Sequence, residues 1–179
     1  MFFNRNLHLK FNCTDSMDDY VCEVIFKQTI MSDIKFRIKA YSENATKTIV
    51  KARKFEFAID EPVDLGGNDE AANPVEYLLG AFAGCVNVMG HLVAKEMQMN
   101  LEGLEINVSG NLNPARLFGQ SMDERAGYKT IELTLKPKTD ASEEVLEKWK
   151  EQVADRCPVS DNLKNATEVI VKTKVLKTV

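Results

Sequence analysis

Residues 73–97 read Asn73-Pro-Val-Glu-Tyr-Leu-Leu-Gly-Ala-Phe-Ala-Gly-Cys-Val-Asn-Val-Met-Gly-His-Leu-Val-Ala-Lys-Glu-Met97 and form the most strongly patterned segment of the chain. Asn73 is a favourable N-cap, and Pro74 suits the first helical position, where no N–H is needed. Glu76 stands at the third position and completes a capping box. Apolar residues then recur at helical spacing, at Val75, Leu78, Leu79, Phe82, Val86, Met89, Leu92 and Val93. The segment predicts one long buried helix with Cys85 near its middle.

Small residues surround this cysteine at Gly80, Ala81, Ala83 and Gly84. A glycine inside a helix costs about 1 kcal/mol relative to alanine. Two glycines beside Cys85 therefore indicate that another backbone or a ligand approaches the helix there.

The flanking segments predict an α+β fold with mainly antiparallel sheets around two helices. Before the helix, alternating residues predict three strands joined by short links, at 34–40, 46–52 and 55–59. After it, the pattern predicts strands at 104–113 and 128–135, a helix from Ser142, a short helical turn at 158–163 and a last strand at 169–173.

The first 32 residues differ from the rest of the chain. They hold two of the four cysteines, Cys13 and Cys22, and show no clear hydrophobic period. Met31 resembles a natural start, and the patterned sequence begins just after it. We therefore predict a peripheral extension at 1–32 and one domain at 33–179.

Composition narrows the choice of partners and compartment. The 179 residues carry a net charge of −4 without a basic stripe, which argues against a nucleic-acid partner. No apolar run approaches the roughly 20 residues needed to span a bilayer, which argues against a membrane partner. The four cysteines are widely spaced and have no zinc-like spacing, so we expect no metal and a reducing, cytoplasmic location.

Cys85 and Cys157 are the residues best placed for chemistry. Cys157 lies where Pro158 interrupts the second helix, next to Arg156. A helix N-terminus and a neighbouring cation both favour the thiolate. The two cysteines could form a disulfide if their helices pack together, which the sequence leaves open. His91 is six residues from Cys85 and points about 120° away, so a Cys-His pair is disfavoured.

Three motifs occur in order: Asp60-Glu-Pro-Val-Asp-Leu-Gly-Gly, Asn73-Pro-Val-Glu-Tyr-Leu-Leu-Gly-Ala-Phe-Ala-Gly-Cys, and Cys157-Pro-Val-Ser. With them the chain resembles the OsmC/Ohr family, the osmotically inducible and organic-hydroperoxide-resistance proteins, from about Ser32 to the C-terminus. The resemblance implies a thiol peroxidase in an intertwined homodimer, with the active site at the subunit interface. It implies that Cys85 attacks the hydroperoxide and becomes a sulfenic acid, and that Cys157 resolves it as a disulfide. An external dithiol would restore both thiols, and no organic cofactor or metal is implied.

The family also uses a glutamate and an arginine to hold the attacking thiolate. Its glutamate directly follows the proline, whereas this chain has Val75 there and Glu76 one place later, about 100° further around the helix. Glu76 is thus either catalytic or only a helix cap. For the arginine, Arg53 is the first candidate and Arg37 the second. This departure keeps an alternative function open, an OsmC-fold dimer without efficient peroxidase activity that binds a small molecule in the interface cleft.

Overall fold

The computed structural model describes residues 33–176. The chain divides into two units, Met1–Ile38 and Lys39–Val179. Residues 33–38, the described part of the first unit, have no regular secondary structure. The extension predicted at 1–32 lies outside the described residues and stays a prediction.

The second unit confirms the α+β class. Strands β1, β2 and β3 form one antiparallel sheet in that order, and β4 pairs antiparallel with β5. The predicted short helical turn is a third helix. In chain order the elements are β1 (Lys39–Ser42), β2 (Thr48–Ala52), β3 (Phe55–Ile59), a 3-10 turn (Val63–Leu65), α1 (Pro74–Glu96), β4 (Gly103–Asn111), β5 (Thr130–Lys138), α2 (Glu143–Arg156) and α3 (Pro158–Lys164).

Two predicted strands are wrong in extent or absent. The strand predicted at 34–40 begins only at Lys39, and the strand predicted at 169–173 has no regular structure. Their apolar side chains are exposed, with Phe36 at 87% and Val171 at 85%. Alternation predicts a strand, but a strand also needs a neighbouring edge to accept its backbone hydrogen bonds. The described part of the chain offers residues 34–38 and 169–173 no such edge.

Helix α1 has the predicted N-terminus. The Asn73 side chain accepts the N–H of Glu76, and the Glu76 carboxylate accepts the N–H of Asn73, both at 2.9 Å. Burial is less complete than predicted, because only one face of the helix is covered. Val88 on the opposite face is 63% exposed. The covered face consists of Phe82, Val86, Gly90, Val93 and Ala94.

Helix α1 contradicts the expectation that no apolar run in the chain is long enough to span a bilayer. By length and composition alone it could cross a membrane, and an 18-residue window within it has a mean hydropathy of 1.5. The helix meets this criterion of length and composition because its small residues count as apolar and its charged residues lie near its ends. One such helix is weak support for a membrane span, since core helices of soluble proteins have the same composition.

The core forms where α1 packs on α2 and β4. Trp149 of α2 is fully buried, and its indole N–H donates to the carbonyl oxygen of Gly90 at 2.8 Å. A Cβ at position 90 would lie 2.9 Å from Leu104 and 3.2 Å from the Trp149 ring. Glycine at this position therefore allows α2 and β4 to approach the helix closely.

A structured loop precedes α1. The buried carboxylate of Asp60 accepts the N–H groups of Asn68 at 3.0 Å and Glu70 at 3.3 Å. Burial alone would raise the pKa of Asp60, but these backbone donors outweigh it and hold the pKa below its usual range. Only glycine fits at position 67, where a Cβ would lie 1.8 Å from the carbonyl oxygen of Glu61. The loop therefore has a defined conformation where it leads into the N-cap of α1.

Candidate functional site

The two candidate cysteines lie next to each other. Cys85 comes from the middle of α1, and Cys157 is the junction residue between α2 and α3. Their sulfur atoms are 3.0 Å apart, although 72 residues separate them in the chain. A disulfide needs about 2.05 Å between sulfurs, so a shift of about 1 Å would join them. The sequence left open whether the helices that carry the two cysteines pack together, and the structure shows that they do.

Cys157 also caps a helix. Its backbone is extended, Pro158 occupies the first position of α3, and its Sγ accepts the N–H of Ser160 at 3.4 Å. That Arg156 favours this thiolate stays a prediction. The guanidinium binds Glu96 of α1 in a bidentate ion pair, with Nη2 3.0 Å from Oε1. This ion pair joins the end of α2 to the end of α1.

The two thiols differ in accessibility. Cys157 is 0% exposed, whereas Cys85 is partly exposed. Burial raises the pKa of the Cys85 thiol above its usual value, and the hydrogen bond with Cys157 raises it further. The backbone N–H of Val159 acts in the opposite direction. In the part of the chain that the structure describes, these influences together raise the pKa of Cys85 and favour its neutral thiol.

The roles of Glu76, Arg53 and Arg37 at the thiol stay predictions. The Glu76 carboxylate is engaged in the capping box. Arg53 occupies the turn between β2 and β3 with φ 57°, and its guanidinium carbon lies 5.1 Å from the Phe55 ring centroid. Arg37 belongs to the exposed residues 33–38 of the other unit. The described contacts bring neither Glu76 nor Arg53 to Cys85.

A groove of about 360 Å³ lies near the cysteine pair. Phe82, one turn before Cys85 on α1, lines it, as does Ser160, whose N–H binds Cys157. Three of its lining residues, Arg125, Lys129 and Lys164, are cationic, and no sequence motif marks them. The lining residues are Val75, Leu78, Phe82, Arg125, Gly127, Tyr128, Lys129, Thr130, Ile131, Ser160, Leu163 and Lys164.

Tyr128 forms one wall of this groove. Its hydroxyl donates to the carbonyl oxygen of Val75 at 3.1 Å, joining the segment just before β5 to the first turn of α1. Burial raises the pKa of Tyr128, and the charge of Glu76 adds to the effect. The phenol is therefore a neutral hydrogen-bond donor at physiological pH.

Residues 33–176 contain no group of three His, Cys, Asp or Glu side chains placed to hold a metal ion. The chemistry available at the site, as far as those residues describe it, is that of two adjacent thiols.

The OsmC family, described as OsmC-like protein, matches residues 66–172. The chain belongs to this family. No curated protein matches it. An OsmC-like protein from Mycoplasma pneumoniae has a similar fold, with a TM-score of 0.65, 22% identity and coverage of 74% of this chain and 89% of that one.

Two further solved structures are named organic hydroperoxide resistance proteins. The Legionella pneumophila protein has a TM-score of 0.58, 19% identity and coverage of 75% of this chain and 92% of that one. The Elizabethkingia anophelis protein has a TM-score of 0.56, 19% identity and coverage of 75% and 91%. At these identities the similarity establishes the fold.

Proposed function

We propose that this protein is a thiol peroxidase that reduces organic hydroperoxides, with Cys85 as the attacking residue and Cys157 as the resolving residue. The observation that carries the proposal is the 3.0 Å separation of the two sulfur atoms. Membership of a family whose relatives include organic hydroperoxide resistance proteins supports the same chemistry.

The reaction has three balanced steps. The Cys85 thiolate attacks the terminal oxygen of ROOH, the O–O bond breaks, and ROH leaves after taking up a proton, with Cys85 as the sulfenic acid. The Cys157 thiolate then attacks Cys85 Sγ and forms the disulfide, while the S–O bond breaks and hydroxide leaves as water after taking up a proton. An external dithiol reduces this disulfide and is itself oxidised to a disulfide. This need for a reducing partner is consistent with a cytoplasmic location.

A second copy of the chain completes this site in our proposal. The raised pKa of Cys85 calls for a cation that the described contacts do not supply. Arg53 is the first candidate and Arg37 the second, brought to Cys85 at the dimer interface. Glu76, whose carboxylate already caps α1, would act there by orienting the arginine.

The uncovered surfaces support a homodimer. The exposed face of α1 includes Gly80 and Gly84, where an added Cβ would meet no atom within 4 Å in the part of the chain that the structure describes. Val88 continues this face and is exposed. The apolar segments at 34–38 and 169–176 are exposed as well, and both carry side chains suited to strand pairing. Such surfaces on a soluble protein mark an interface.

We expect the protein to be a dimer at micromolar concentration by light scattering. Val88→Glu should raise the dimer dissociation constant at least about a hundredfold, because an unpaired charge in an interface costs several kcal/mol and a two-fold axis repeats it. Lys150→Gln is the matched control, since it changes net charge equally on an exposed surface of α2. A stable wild-type monomer at that concentration would refute the dimer.

The alternative, a dimer that binds a small molecule without efficient peroxidase activity, also has structural support. The groove near the cysteines is lined by apolar residues together with Arg125, Lys129 and Lys164. The position of Glu76 in the capping box also fits this alternative, because the cap gives the carboxylate a structural role that needs no thiol chemistry.

A peroxide-consumption assay distinguishes the two functions. With cumene hydroperoxide and a dithiol reductant, we expect multiple turnovers that stop when the dithiol is omitted. The control is the dithiol with the Cys85→Ser, Cys157→Ser double variant, which measures uncatalysed consumption. A wild-type rate equal to that control would favour the binding protein.

A further inference from the structure

The disulfide that forms between Cys85 and Cys157 would have one accessible sulfur and one enclosed sulfur. Cys157 is fully buried, at the junction of α2 and α3, in the same cluster as Trp149 and Val153. Cys85 is partly exposed, and small residues adjoin it on α1. A thiol can exchange only with a sulfur that it can reach along the S–S axis.

We infer that the external reductant attacks Cys85 Sγ, so that the mixed disulfide forms on Cys85 and Cys157 is the leaving group. The inference rests on the proposed function for its place in a catalytic cycle. Cys85 would thus bond in turn to oxygen, to Cys157 and to the reductant, while Cys157 reacts only inside the protein.

The exchange is balanced in bonds and electrons. A thiolate of the dithiol bonds to Cys85 Sγ, the Cys85–Cys157 bond breaks, and Cys157 leaves with the electron pair. The second thiolate of the dithiol then attacks its own sulfur in the mixed disulfide. Cys85 leaves as a thiolate, and the reductant departs as a cyclic or intramolecular disulfide.

The contacts of Cys157 suit it to leave. Its Sγ already accepts the N–H of Ser160, and this donor would stabilise the thiolate as it forms. Pro158 fixes the backbone on one side of the residue. On the other side the ion pair between Arg156 and Glu96 holds the end of α2 against α1. Cys157 therefore stays close enough to reform the disulfide in the next cycle.

The direction of attack can be tested by trapping with a monothiol. The wild-type protein is oxidised with diamide, which forms the disulfide without any peroxide reduction. Glutathione is then added, and the reaction is quenched in acid while about a tenth of the disulfide has reacted, before exchange moves the adduct. Digestion with pepsin in acid and mass spectrometry locate the glutathione. The control repeats the reaction in concentrated urea, where both sulfurs are accessible.

We expect glutathione on Cys85 at least about ten times as often as on Cys157 in the folded protein, with this preference lost in urea. Adducts found equally on both cysteines, or mainly on Cys157, would overturn the inference, as would failure of the pair to form a disulfide. Because diamide replaces the hydroperoxide, a protein with no peroxidase activity can still show the preference. Different observations would therefore refute the inference and the proposed function.

Discussion

Replacing Cys85 by serine is expected to abolish hydroperoxide reduction, lowering kcat/KM by at least about a thousandfold, as loss of a nucleophile does in other enzymes. A serine hydroxyl does not form a stable oxyanion at neutral pH and does not accept oxygen from a peroxide as sulfur does. The measurement is steady-state consumption of cumene hydroperoxide with a dithiol. A serine variant that retains a tenth or more of the activity would show that Cys85 is not the attacking residue.

The matched substitution Cys157→Ser separates attack from resolution. It leaves Cys85 able to react once, but no sulfur remains 3.0 Å away to capture the sulfenic acid. Excess peroxide should then drive Cys85 to the sulfinic acid, with the gain of two oxygen atoms, whereas the wild type stops at a disulfide. Mass spectrometry after stoichiometric and excess peroxide measures both outcomes. Two free thiols in the treated wild type would contradict the proposed reaction.

Truncating Trp149 to alanine should lower the free energy of unfolding by about 3–5 kcal/mol, because the side chain is fully buried between α1 and β4. The milder Trp149→Phe keeps most of the packing but leaves the Gly90 carbonyl without the indole donor, and should cost about 1 kcal/mol for the lost hydrogen bond. Both effects are measured by urea unfolding followed by circular dichroism, since Trp149 is the only tryptophan.

The protein concentration must be held constant in this comparison, because the stability of the proposed dimer would depend on it. Glu151→Ala on the exposed side of α2 is the control, and should change stability by less than about 0.5 kcal/mol. A loss below about 1 kcal/mol for Trp149→Ala would mean that the contact between α1 and α2 is not central to the fold.

The parts of the fold that depend on neighbouring residues could be predicted from the sequence. Asn73, Pro74 and Glu76 define the start of α1 because the capping hydrogen bonds join residues within one helical turn. The hairpins among β1, β2 and β3 follow from alternation and short links, since the strands that pair are adjacent in the chain. Family membership followed from motifs read in order, and the comparison confirms it.

Pairings across the chain were decided by the tertiary structure. The same alternation that predicts β4 and β5 predicts strands at 34–40 and 169–173, but residues 34–38 and 169–173 lack a paired edge in the described chain. Arg156 is next to Cys157 in sequence, yet its side chain turns to Glu96, because consecutive residues at the end of a helix point in different directions.

The sequence by itself determined that two cysteines lie on two helices and that one of them begins a helix. Only the packing of α1 against α2 and α3 placed their sulfurs 3.0 Å apart and made Cys157 the buried member of the pair. Helix capping and strand alternation depend on residues within one turn or one strand, so a short stretch of sequence is enough to predict them. The distance between residues 72 positions apart depends on how side chains such as Trp149 fill the space between the helices, which no local pattern specifies.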